Sequence, residues 1–215
     1  MSANVLVLCA AGMLVSAYLM VGQKALFTAI RLYGAQSFLL GIVAATIAHS
    51  EGRHDLYVTA ALTVTLKGLL IPWFLMRVID RIGIRREIEP FLNVPVSLLV
   101  CVGLTVVGYR VSTGFPEGVG GVSHHLIGVA LSLLLIGLFL MVTRKKAISQ
   151  ILALMMIENA VFLVAAGITT GMPFVVELGI SFDVILAVLM LGVMVGRIVD
   201  RFESMDVSRL SKLKG

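Results

Sequence analysis

Charged residues make up only 13% of this 215-residue chain. A water-soluble domain carries about 25%, so the surface implied here is not one that faces water throughout. Cysteine is also scarce. Cys9 and Cys101 each stand alone inside an apolar run, which denies ligands to a zinc site or an iron–sulfur cluster and leaves a buried packing role. There is no Ser/His/Asp or Cys/His constellation, and so no sign of a hydrolytic or redox centre. The glycine-rich stretch STGFPEGVGGVSHH has no phosphate-loop spacing and leads into an apolar run, which excludes a nucleotide-binding turn. No repeat of the inverted-transporter kind is visible.

What the chain has instead is apolar residues, 59% of the total, with a mean hydropathy of +1.06. That composition describes an all-α, polytopic transmembrane bundle, because a backbone in hydrocarbon must bond to itself. With about 20 residues needed per crossing, seven spans are predicted at 3–21, 25–48, 56–78, 91–109, 126–142, 147–168 and 174–199. The start, MSANVLVLCAAGMLVSAYLM, has no basic region and a long apolar run, so it is expected to persist as the first span.

The seven-span reading places fourteen lysines and arginines on one side, among them Arg77, Arg81, Arg85, Arg86, Arg144, Lys145 and Lys146, and only Arg53 and Arg110 on the other. By the positive-inside rule the N-terminus is outside and the C-terminus cytoplasmic. The net charge of +5 is then a topological signal and not a nucleic-acid-binding one. The glycine-rich connection divides the chain into a four-span unit, 1–121, and a three-span unit with a short tail, 122–215.

Ionisable residues inside spans are expensive, at least about 2.5–3.5 kcal/mol for a charge at a helix centre, and they mark candidate function. Glu158 lies in SQILALMMIENAVFLVAAG, about 16 Å into its span, with Lys67 at a similar depth in the third and Asp183 about 13 Å into the seventh. Glu177 sits near the outer end of the seventh span, where it could form the mouth of a path. Pro72 lacks a backbone donor and crowds the carbonyl of Gly68, so a kink with a freed carbonyl is expected beside Lys67. Burial favours the neutral form of a carboxylate or an amine and a nearby opposite charge favours the ionised form, so Glu158, Asp183 and Lys67 can form a proton relay. They can equally be paired struts between helices. His49, His54, His124 and His125 fall at the rim or in loops and cannot make a deep haem pair.

From His124 onward, LIGVALSLLLIGLFLMVTRKKAISQILALMMIENAVFLVAAG, then ELGISFDVILAVLMLGVMVGRI, then MDVSRLSKLKG resemble the three-helix K-type subunit of respiratory complex I and its cation-antiporter relatives. The features are a basic turn between two helices, a carboxylate followed by Asn-Ala, and a second carboxylate. The whole chain, including Lys67 before Pro72 and the pattern from Glu177 to Asp183, resembles the hydrogenase-4 component E family. Against the short K-type pattern, Glu158 falls about three residues later, nearly one helical turn, and Asp183 comes about one turn earlier.

The resemblance implies a multi-pass subunit of a prokaryotic inner (cytoplasmic) membrane complex, a complex I-like group 4 [NiFe]-hydrogenase of the formate hydrogenlyase type. It implies no cofactor and no catalytic site on this chain, with Fe–S clusters and the Ni–Fe centre in partner subunits. Its neighbours would be antiporter-like and quinone-site-like membrane subunits and, indirectly, peripheral hydrogenase subunits. Proton translocation would then run through Glu158, Asp183, Lys67 and Glu177. An accessory subunit of a Na⁺/H⁺ antiporter and a structural membrane scaffold are the alternatives.

Overall fold

The computed structural model describes residues 2–52, 54–82, 92–114 and 124–168, all within the unit Met1–Gly179. The apolar runs form helices α1 (Ser2–Gly22), α2 (Leu26–Glu51) and α3 (His54–Leu62), a π-helical segment (Thr63–Leu70), then α4 (Ile71–Ile82), α5 (Val94–Ser112), α6 (His124–Thr143) and α7 (Ala147–Ile168). The helix α3, the π segment and α4 are consecutive and together supply one crossing, Tyr57–Asp80. Six helices are long and apolar enough to span a bilayer, and no strand occurs among the described residues. Six of the seven predicted spans are therefore helical. The predicted seventh, at 174–199, and the predicted division between 121 and 122 lie outside the described residues.

Local chemistry sets the helix ends. After Glu51 the backbone turns left-handed at Gly52 (φ 66°), whose N–H bonds to the Ala48 carbonyl, a closure glycine makes without strain. Pro95 stands in the first turn of α5, where no donor is missed.

The helices α1, α2, α6 and α7 form the inner group: α7 packs on α6 and α2, and α1 on α2 and α6. The third span lies against α2, and α5 lies against α1 and α6. Burial follows this order, from 61% of the α7 crossing to 17% of the α5 crossing. Outward-facing Leu99, Val102, Val106 and Val107 on α5 would be a liability in water, but lipid chains solvate them as well as protein would. Where α5 does face protein it is stitched down. The Tyr18 hydroxyl lies 2.8 Å from Thr105 Oγ1, and Ser132 packs where a Cβ on Gly108 would fall.

At one end of the bundle Arg144 is buried and its Nη2 donates to the Val21 carbonyl at 2.7 Å and to that of Met20 at 3.5 Å. These belong to the last turn of α1, the negative end of the helix dipole, where the Met20 carbonyl also accepts from the Gln23 N–H at 3.2 Å. Arg144, one of the basic residues that the sequence reading assigns to a loop, therefore ties the α6–α7 turn to α1.

The expected disturbance at Pro72 takes a different form from a simple kink. Before it the helix widens: the Ile71 N–H bonds to the Leu66 carbonyl, five residues back, and Thr63–Leu70 is π-helical. Proline's missing donor and crowded ring are accommodated by that widened turn, with Pro72 itself in the first turn of α4, where proline is tolerated. Opposite lies Gly34 of α2. A Cβ on Gly34 would fall 3.2 Å from the Gly68 carbonyl oxygen and 3.2 Å from Pro72 Cγ. Gly34→Val is therefore expected to destabilise the protein by about 1–3 kcal/mol through overpacking, read as a lower thermal midpoint in detergent. Gly103→Val, with nothing within 4 Å of the added carbon, should leave that midpoint unchanged.

Candidate functional site

The site is a polar layer halfway along the inner helices. Glu158 and Asn159 lie on α7, Gln36 and Ser37 on α2, and Lys67 in the π segment. Counted from their helix starts, Gln36 is about 15 Å along and Glu158 about 16 Å. The ends of α1 and α6 and the starts of α2 and α7 line one cleft, through Met20, Lys24, Leu26, Leu140, Arg144 and Ser149, so α2 and α7 run in the same direction and their polar residues meet at one depth.

Lys67 Nζ lies 2.8 Å from Glu158 Oε1, and both side chains are buried. Next to the pair, Asn159 Nδ2 donates to Ser37 Oγ at 3.1 Å and to Gln36 Oε1 at 3.3 Å, and Gln36 Nε2 donates to the Met13 carbonyl at 3.2 Å. The same carbonyl accepts from Ser16 Oγ at 2.7 Å. Asn159, Gln36 and Ser37 are fully shielded. Asn159 Oδ1 has no hydrogen-bond donor among the described residues.

At 2.8 Å and an effective dielectric of about 20, the attraction between two unit charges is on the order of 6 kcal/mol, against several kcal/mol per ion for desolvation. The two effects are of the same size. The pair is therefore close to balance as a unit, and it is the removal of one partner, not the presence of both, that weighs on the fold.

Of the four residues singled out from the sequence, the structure brings Glu158 and Lys67 together; Glu177 and Asp183 lie outside the described residues. The histidines with described side chains are elsewhere. His49 Nδ1 is 3.3 Å from the Tyr57 hydroxyl, His124 Nδ1 is 3.1 Å from the Ser112 carbonyl, and His125 stacks edge-on against Tyr109. Among the described residues, no three His, Cys, Asp or Glu side chains cluster as a metal site would require. Sequence reasoning missed Gln36, Ser37 and the inward role of Arg144. The one available signal for the first two was an adjacent amide and hydroxyl at the middle of an apolar span.

The chain is 30% identical over 206 residues to the uncharacterized protein Rv0085 of Mycobacterium tuberculosis, across 95% of this chain and 94% of that one. It is 26% identical over 187 residues to hydrogenase-4 component E of Escherichia coli K12, across 85% of each, and equally so to the protein of that name in Shigella flexneri. No family model and no solved structure matches it.

Removing one member of the buried pair takes from the other its opposite charge at 2.8 Å. Lys67→Met is expected to cost about 3–5 kcal/mol, and Lys67→Met combined with Glu158→Leu to recover most of that loss. A double-mutant cycle on unfolding of the detergent-solubilised protein measures the coupling; additive losses would mean that the two charges do not interact.

Proposed function

The chain belongs to the hydrogenase-4 component E family, and on that ground we propose that it is a multi-pass membrane subunit of a hydrogenase complex, one that carries protons and not electrons. The observation that carries this reading is the Lys67–Glu158 pair, 2.8 Å apart and buried halfway along membrane-length helices. In hydrocarbon, ionisable groups of this kind line ion pathways or fasten helices together.

In the proposed complex the chain makes seven crossings, N-terminus outside and C-terminus cytoplasmic, in a prokaryotic inner membrane. It belongs to the complex I-like, formate hydrogenlyase type of group 4 [NiFe]-hydrogenase. The Fe–S clusters and the Ni–Fe centre reside in peripheral partner subunits, and antiporter-like and quinone-site-like subunits flank it in the bilayer. The residues 122–215 act as the K-type unit, and 1–121 anchor it to the membrane arm.

The steps this chain contributes are protonations. When a proton reaches Glu158, its bond to Lys67 loses its ionic character while the ammonium keeps its positive charge. That charge favours release of a proton from the pair, towards Asp183 and then Glu177. Lys67 acts as the charge-balancing partner that keeps the carboxylate from holding its proton permanently.

The same 2.8 Å contact also favours a second reading, in which the pair is a strut and moves no proton. Glu158→Gln in the purified parent complex, reconstituted in sealed proteoliposomes, separates the two. The relay reading expects assembly and hydrogen-linked electron transfer to persist while translocation falls by about tenfold or more, a barrier increase of at least about 1.4 kcal/mol. Because Glu158→Gln removes the carboxylate facing Lys67, Glu158→Gln with Lys67→Met is measured beside it. Full translocation in an assembled variant would leave only the strut.

A further inference from the structure

The two halves of the ion pair take their places against one common helix. On one side of α2, Gly34 receives the Gly68 carbonyl and the Pro72 ring so closely that an added Cβ would fall 3.2 Å from each, which seats the π segment carrying Lys67. One turn further along, Ser37 and its neighbour Gln36 both accept from Asn159, the residue that directly follows Glu158 on α7. Gln36 is held in turn by the Met13 carbonyl of α1. All three polar side chains are shielded from solvent, and a buried amide bound on two sides has little freedom to move.

We infer that Asn159, locked to Gln36 and Ser37 of α2, is a positioning residue that sets the Glu158 carboxylate against Lys67, and that this amide–hydroxyl lock, not the ion pair alone, fixes how tightly Glu158 holds a proton. The inference deepens the relay reading and rests on it only for the proton's later passage. The attraction between two charges changes steeply with separation at this distance. A lock that holds α7 in register with the π segment therefore acts directly on the carboxylate. Lys67 is the charged group that faces Glu158 from the described helices, and α2 brings the buried Tyr33 phenol to the inner group. The helix α1 carries only Cys9 and Tyr18, and α6 has no ionisable side chain between His125 and Arg144.

The test reads Glu158 itself. Infrared spectra of the assembled complex, recorded across pH, isolate the Glu158 carboxyl band as the difference between the parent and Glu158→Gln. In Asn159→Leu, which keeps the volume and removes both hydrogen bonds, that band's frequency or its titration midpoint should be displaced, the midpoint by about one pH unit, a tenfold change in proton affinity. Ser37→Ala should give a smaller displacement of the same sign, and Ser37→Thr, which keeps the hydroxyl, none. Ser132→Ala, which breaks a polar contact between α5 and α6, should also leave the band in place. The inference is overturned if assembled Asn159→Leu keeps the parent band, or if Ser132→Ala displaces it as far. Should Asn159→Leu fail to assemble, Ser37→Ala against Ser37→Thr decides the question by the same criterion. Normal translocation by Glu158→Gln would end the relay reading yet leave this result intact, because the band reports the position of the carboxyl and not traffic through it.

Discussion

The rest of the bundle depends on one constraint: a lysine and a glutamate, both buried in an apolar interior, must lie within bonding distance of each other. A charge at either position is costly without its opposite, and Lys67 and Glu158 come from spans far apart in the chain. Their approach fixes the third span relative to α7 more strictly than the surrounding apolar contacts can. Leucines and valines against lipid or against each other gain nearly the same free energy in many registers, whereas an ion pair in low dielectric is satisfied in few.

The helix α2 makes that approach geometrically possible. It carries the absence of a side chain at Gly34 and hydrogen-bonding groups at Gln36 and Ser37 within a single turn, so two neighbouring spans are seated on it by different physics. One is admitted by close backbone packing and the other is held by polar bonds. The widened turn at Thr63–Leu70 contributes to the same arrangement, since it changes the angular position of every side chain before it relative to those after it. The helix α5 is fastened on one side, by its packing on α6 and the hydroxyl contact between Tyr18 and Thr105, and is the least buried of the described crossings.

The six described crossings were legible in the sequence because apolar runs of membrane length have few other solutions. Glu158 and Lys67 were legible because a charge in such a run is rare enough to be noticed without knowing its partner. The proline signalled a disturbance at the right place, but a missing donor is compatible with a bend or a widened turn, and the proline by itself does not select between them. Gln36 and Ser37 gave almost no signal. A single amide or hydroxyl is inexpensive in a span, and its purpose lies in Asn159, on a helix more than a hundred residues away. Arg144 was concealed differently: in the run Arg144-Lys145-Lys146 it looks like one more topological charge, and the Val21 carbonyl it bonds belongs to α1. Glu177 and Asp183 lie beyond the described residues.

The polar layer also has a place in time. Ribosomes deliver a chain from its N-terminus, so the third span, with Lys67 at its middle, enters the bilayer before α5, α6 and α7 exist. During that interval the lysine has no glutamate to meet, and the third span must be retained on the strength of its apolar residues and its fit to α2. Its hydropathy of 1.6 over the crossing supports entry despite the charge. Insertion of α7 then brings Glu158 and Asn159 to their partners together, so the polar layer closes only once that helix has been delivered.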